Sequence, residues 1–167
     1  MKIAEGQQKF VQAWGTLGAQ WGINRTMAQI HAVLFLSPES LTTDDIMERL
    51  GISRGNANMN LRALIDWGIV FKEFKPGERK EFFYTTKNTH QLARQVMKER
   101  RRREIEPVLS ILEELSDVKD DGTKEGKEFV KVTKEMKAFV EEANHLAAFL
   151  SKAEKNWITG KLLKLLK

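Results

Sequence analysis

Residues 42–85 read TTDDIMERLGISRGNANMNLRALIDWGIVFKEFKPGERKEFFYT, and the order of caps, apolar positions and glycines in this stretch decides the fold. Thr42 or Thr43 offers a side-chain oxygen to cap a helix, Asp44 and Asp45 suit its positive start, and Ile46, Met47 and Leu50 give it one apolar face. Gly51 ends that helix, and Ser53 caps the next one, whose inward positions are Ala57, Leu61, Leu64 and Ile65. Gly68 closes it after Trp67. Ile69–Phe74 is then rich in β-branched and aromatic residues, Lys75-Pro76-Gly77-Glu78 is a turn signal, and Glu81–Thr85 is strand-like again, so this segment predicts a β-hairpin.

Helix, glycine turn, helix and hairpin follow one another in a winged helix-turn-helix. There the second helix enters the major groove of DNA and the hairpin, or wing, lies on the backbone or in the minor groove. The segment 53–67 is the expected recognition helix and 70–85 the expected wing. Ser53, Arg54, Asn56, Asn58, Asn60 and Arg62 form the expected reading face. Arginine can grip guanine or phosphate, and asparagine can pair with adenine. Each asparagine also costs a helix a few tenths of a kcal/mol, so keeping three of them points to a use. Lys72, Lys75, Arg79 and Lys80 supply the cations of the wing.

Working outward, Phe10, Trp14, Leu17 and Trp21 recur at spacings of four and three on a helix expected from Glu5 to Trp21. Met27, Ile30, His31 and Leu34 mark the inner face of a second, short helix that ends before Pro38. Beyond the wing, a long helical stretch starts at Asn88, and Pro107 should kink or split it. After a polar linker over 117–126, Phe129, Val132, Met136, Phe139, Ala143, Leu146 and Leu150 keep the alternation of coiled-coil seams. A last segment sets Ile158, Leu162, Leu165 and Leu166 against lysines, as in an amphipathic helix.

The fold class expected is therefore mainly α with a small β-hairpin wing: a winged helix-turn-helix plus a helical dimerisation region. Residues 1–24 form an N-terminal dimerisation helix, 25–87 the DNA-binding domain and 88–167 the C-terminal dimerisation region. A winged domain of this size has little spare apolar surface to cover the stripes at Phe10–Trp21 and Phe129–Leu150, so a homodimer is expected to bury them. Two-fold symmetry would set the recognition helices about 34 Å apart and favours a pseudo-palindromic duplex.

Charge agrees with this division. Residues 1–50, 51–103 and 104–167 carry net charges of −1, +8 and −2, so the basic part coincides with the winged segment. A phosphate backbone is the partner such a segment attracts. The alternative is a helical protein-interaction module with a winged domain that binds protein, and such a domain has no need of this basic middle. Lys98–Arg103 reads KERRRR, but successive residues on a helix fan around its axis, so no single surface can use four arginines; most should pair with Glu99, Glu104 and Glu106.

Other classes find no support in the sequence. With no cysteine in 167 residues there is no disulfide, thiolate metal site or cysteine nucleophile. His31, His90 and His145 stand apart from any second ligand, so no metal and no cofactor is expected, and no residues suggest an enzyme. Gly122–Lys127 lacks the features of a phosphate loop. No apolar run is long enough for a membrane span and no signal peptide is evident, so the expected location is the cytoplasm. Trp14 and Trp21 are candidates for an aromatic cage around a quaternary ammonium effector, although their spacing suits packing at an interface better.

The run from Phe10 to Asp117, which includes WGTLGAQWGINRTMAQIHAVLFLSPESLTTDDIMERL and above all GISRGNANMNLRALIDWGIV, resembles the GbsR branch of the MarR-type regulators. The resemblance implies a repressor-like homodimer whose affinity for double-stranded DNA responds to a small-molecule effector; the branch includes choline-responsive members. It places Ser53, Arg54, Asn56, Asn58 and Asn60 on the recognition helix and Arg79 and Lys80 on the wing. The tip, Pro76-Gly77-Glu78-Arg79-Lys80, departs from the Asp-x-Arg common in MarR proteins.

Overall fold

Helix α2 (Arg25–Leu36) is apolar around most of its circumference, with Met27, Ala28, Ile30, His31, Ala32, Val33 and Leu34 all buried, and such a helix can only lie at the centre of a unit. The computed structural model describes residues 1–152, with side chains through 149. The side chain of Leu150 and the predicted amphipathic segment around Ile158–Leu166 lie outside the described residues. The chain divides into two compact units, Met1–Leu92 and a second that begins at Ala93.

In the first unit α2 is surrounded by α1 (Ile3–Gln20), α3 (Thr43–Leu50), α4 (Arg54–Asp66) and a sheet. The sheet has antiparallel strands in the order β1 (Leu41–Thr42), β3 (Glu81–Thr85), β2 (Val70–Phe74). Ile30, Leu34, Ile46, Leu61, Leu64 and Val70 are its most completely buried side chains. The hairpin read from the sequence is present, with Val70 opposite Thr85 and Phe74 opposite Glu81. Strand β1 is an addition. Its two residues are too few to show an alternating pattern, yet Leu41 pairs with Phe83 and Thr42 with Phe82.

The contact face of α1 lies beside the stripe expected from its aromatic residues. Val11, Gly15 and Gly18 are the buried positions. A Cβ at Gly18 would stand 2.6 Å from the Cβ of Ala28, so only glycine lets the two helices come this close. Phe10, Trp14 and Leu17 are half-buried at the edge of this contact, and Trp21 is 57% exposed. Phe10 stacks on Trp14, Trp14 on His31 and His31 on Phe35, with centroid separations of 5.5, 6.2 and 5.8 Å.

In the second unit a π-helical turn, Arg101–Ile105, separates the end of α5 (Thr89–Arg100) from α6 (Glu106–Leu115). The break falls where Pro107 predicted it. Proline has no N–H to give to the preceding turn, and the Glu106 N–H reaches instead to the Arg101 carbonyl, one residue further back than in an α-helix. Helix α7 (Lys124–Lys152) packs on α6 and on this turn, where Arg101 Nε donates to Asn144 Oδ1 at 2.6 Å. Val130, Val140 and Ala147 are half-buried, whereas Phe129, Val132, Met136, Phe139 and Leu146 are exposed, Phe139 by 67%. The coiled-coil stripe thus faces away from α6 and from the π-helical turn on which α7 packs.

Two polar groups in the first unit, one of them buried, are committed to its structure. Lys87 Nζ donates to the carbonyls of Leu34, Phe35 and Ser37 at 2.7, 2.8 and 2.5 Å, closing the C-terminal end of α2 with a cation, and burial lowers its pKa. Thr85 Oγ1 donates its one proton to the Ile69 carbonyl at 2.6 Å, so His31 Nε2, 3.3 Å away, must be the N–H that donates to Thr85. Burial, assisted by the charge on Lys87, pushes the His31 pKa from 6.5 down to about 4. The unfolded chain therefore takes up a proton that the folded chain refuses. Stability from this residue is complete above about pH 6.5 and is lost as the pH falls towards 4, by an amount on the order of 3 kcal/mol. Urea titrations at pH 7.5 and 4.5 should show this loss, and His31→Gln, which cannot titrate, should remove most of it; an undiminished pH dependence in His31→Gln would assign it to other groups.

Candidate nucleic-acid interface

Helices α3 and α4 are built by local rules that also fix the side chains available to a partner. The Asp45 N–H donates to Thr42 Oγ1 at 3.2 Å, and the Thr42 N–H returns a bond to Asp45 Oδ2 at 2.7 Å, which closes a capping box at the start of α3. The Thr42 hydroxyl, which donates to Asp45 Oδ2 at 2.6 Å, and then the Thr42 N–H hold the Asp45 carboxyl below the usual carboxylate range. Gly51 ends α3 at φ 63°, a left-handed conformation that favours glycine. Ser53 then caps α4 by accepting from the Asn56 N–H at 3.3 Å.

On α4, Ala57, Leu61 and Leu64 are buried as expected. Arg54, Asn58 and Arg62 point outward, and Asn56 is half-buried. Asn60 does not belong to the outward row and corrects the expected reading face. It is only 3% exposed and donates to the Asn56 carbonyl and to Asn56 Oδ1 at 2.9 and 2.7 Å. Rotation about the helix explains this, because three residues beyond Ala57 the chain has nearly completed a turn and returns to the core side. Met59, not among the sequence-derived positions, is exposed instead. An apolar residue in a polar row carries no motif, but its place beside Asn58 was the available signal.

The wing cations are spread over hairpin and tip. Lys75 Nζ lies 4.4 Å from the Phe82 ring centroid and 4.0 Å from Glu73, Lys72 pairs with Glu81 at 2.8 Å, and Arg79 is exposed at the tip. Lys80 reaches 3.4 Å from Asp44, and Arg54 bonds to the other oxygen of the same carboxylate. One side chain at the start of α3 thus receives a cation from α4 and another from the hairpin. The Arg54 hydrogen bond and charge, followed by those of Lys80, keep its carboxyl below the usual range. All three groups are exposed, so a phosphate could take the place of the carboxylate.

The arginine run is paired at close range. Arg102 and Arg103 meet Glu99 at 2.7 and 3.4 Å, Arg100 meets Glu104 at 3.8 Å, and Arg101 meets Glu106 at 3.1 Å. The Trp14 ring is stacked on Phe10 and on His31, while Trp21 is exposed. A half-open groove of about 690 Å³ lies elsewhere in the first unit; Val11, Val33, Leu36 and Leu50 are apolar positions on its lining, and Gln12 and Arg49 are among its polar ones. Among the described residues no group of three His, Asp or Glu side chains is placed to hold a metal, and no helix is long and apolar enough to cross a membrane.

This arrangement of a braced second helix and a basic hairpin is the winged helix-turn-helix, and the fold is the one found in MarR-type regulators. The model of the MarR family matches residues 21–81, which spans α2 through the wing tip. Among solved structures, one described as a transcriptional regulator is 19% identical over 86% of this chain and 98% of its own, with a TM-score of 0.58. A transcriptional regulator from Thermotoga maritima is 19% identical over 84% of this chain and 93% of its own, with a TM-score of 0.41. A variant of MepR from S. aureus bound to an oligodeoxyribonucleotide is 16% identical over 82% and 92%, with a TM-score of 0.41. No curated protein matches the sequence.

Asp44→Asn removes the shared charge and keeps the shape of the side chain. The variant should elute from heparin at higher salt than the wild type, because two cations lose an internal competitor while no core contact changes. Elution at the same salt would show that the carboxylate does not restrain them.

Proposed function

We propose that this chain is a sequence-specific DNA-binding transcriptional regulator, repressor-like, cytoplasmic and active as a homodimer. The observation that carries the reading is the outward row of α4, with Arg54, Asn58 and Arg62, beside the exposed Arg79 and Lys80 of the wing in the same unit. The MarR-family match over residues 21–81 supports it. Asn58 and Arg62 address base edges, while Arg54 and the wing cations Lys75, Arg79 and Lys80 address the backbone or the minor groove. Ser53, Asn56 and Asn60 act from behind that face: Ser53 caps the helix, and Asn60 fixes the Asn56 side chain.

Residues 25–87 form the reading domain, and the segments 1–24 and 88–167 join the two copies. The exposed stripe of Phe129, Val132, Met136, Phe139 and Leu146 supports this division, because an apolar seam of that length is costly to leave in water. A pseudo-palindromic operator follows from two-fold symmetry. A small effector tunes affinity by binding the free and DNA-bound forms unequally. A quaternary ammonium compound is one such effector, and the groove of the first unit, with Gln12 and Arg49 on its lining, is one place a small molecule can enter.

Two experiments test these assignments. Asn58→Ala should cost about 1–3 kcal/mol on the preferred duplex and relax specificity, whereas Arg79→Ala should weaken all duplexes alike and lower the salt slope by about one unit; equal affinity of the wild type for selected and random duplex at every salt concentration would refute the reading. Phe139→Asp places a charge in the seam and should halve the mass measured by light scattering and abolish operator binding, although residue 139 lies outside the reading domain. A wild type that is monomeric at micromolar concentration would dispose of the homodimer.

A further inference from the structure

Position 55 carries a glycine for which the fold supplies no reason. Gly55 lies in the first turn of α4, outside the set of positive-φ glycines, and a Cβ built on it would meet nothing within 4 Å. Alanine would fit there and suits a helix better, since glycine leaves the unfolded chain more freedom to lose. One turn later stands Met59, 61% exposed and the one large apolar side chain exposed on α4 among the described residues. Residue 59 stands one turn further along the same side of the helix, and none of its atoms comes within 4 Å of a Cβ built at position 55, so a gap lies between the two. With only a hydrogen at position 55, one side of the methionine chain stays open, and the two residues leave a shallow apolar notch. Arg54, Asn58 and Arg62, all exposed, surround it.

We infer that the notch formed by Gly55 and Met59 receives the C5 methyl group of a thymine in the major groove, which makes Met59 a determinant of base specificity. The inference rests on the DNA-binding reading given above. The methyl group of thymine is the apolar feature that base edges present in that groove, and neither asparagine nor arginine can use it. A polarizable, unbranched thioether can close over it without a fixed shape. The cations around the notch and the +8 charge of residues 51–103 favour a polyanion over an apolar protein partner. The absent side chain at position 55 lets the base edge come within contact distance of the helix.

The test uses the full chain and a duplex selected from a random pool. Each thymine of the preferred site is replaced in turn by deoxyuridine, which deletes only the methyl group. At one position per half-site the wild type should lose about 3- to 10-fold in affinity, the value of one buried methyl group. Met59→Ala should bind the intact site more weakly by a similar factor and no longer sense that replacement. Gly55→Ala should raise the thermal midpoint by about 1–3 °C and yet weaken the same site, a pairing of effects that a merely structural glycine would not give. If a preferred site emerges and no deoxyuridine replacement changes affinity beyond twofold, or if Met59→Ala retains the full penalty, the notch does not read thymine while the DNA-binding reading stands. Absence of any preferred site would overturn both.

Discussion

The geometry of the interface turns on Thr42, which serves two elements at once. Its hydroxyl and N–H close the capping box with Asp45 at the start of α3, and its backbone pairs with Phe82 in the strand that leads away from the wing tip. A capped helix start has little freedom, and a strand register moves only in whole residues. Helix α3 and the hairpin are therefore fixed to each other through one residue, and α4 follows by way of the left-handed turn at Gly51. That Arg54 and Lys80, twenty-six positions apart in sequence, arrive at the two oxygens of Asp44 is a direct result.

Stability and recognition draw on different faces of the same elements. Ala57, Leu61 and Leu64 tie α4 to the core around α2, and its outer face contributes almost nothing to that packing. The hairpin behaves likewise, with Val70, Phe83 and Thr85 buried and Arg79 and Lys80 in water. Polar groups are also turned to structural ends, as the buried His31 joins an aromatic stack and Lys87 closes α2. Outer positions can change with little cost to the fold.

Much of the fold is legible in the sequence because its signals are local: caps at Thr42 and Ser53, glycines at 51 and 68, and a hairpin turn at Pro76–Gly77. The unread parts depend on partners distant along the chain. Leu41–Thr42 becomes a strand because Phe82 and Phe83 lie beside it. Asn60 reads as a polar surface residue until rotation about the helix places it with the core. The inner face of α1 escapes notice because two of its contact residues are glycines, which carry no hydrophobic signal and matter for what they lack. In the arginine run the sequence supplied the pairing with Glu99, Glu104 and Glu106 but not the π-helical form of the backbone.

That π-helical turn bears on how the chain tolerates changes in length. A π turn is an α-helix holding one residue too many, and each residue counts for about 100° of rotation. Between Arg100 and Glu106 the excess is absorbed where charged side chains reach solvent, so α6 and α7 can keep their mutual packing. A single-residue deletion there would return the segment to ordinary helical winding, whereas the same deletion in α2 would rotate half of a largely buried helix out of register. The arginine run is thus a place where related chains can gain or lose a residue and remain folded.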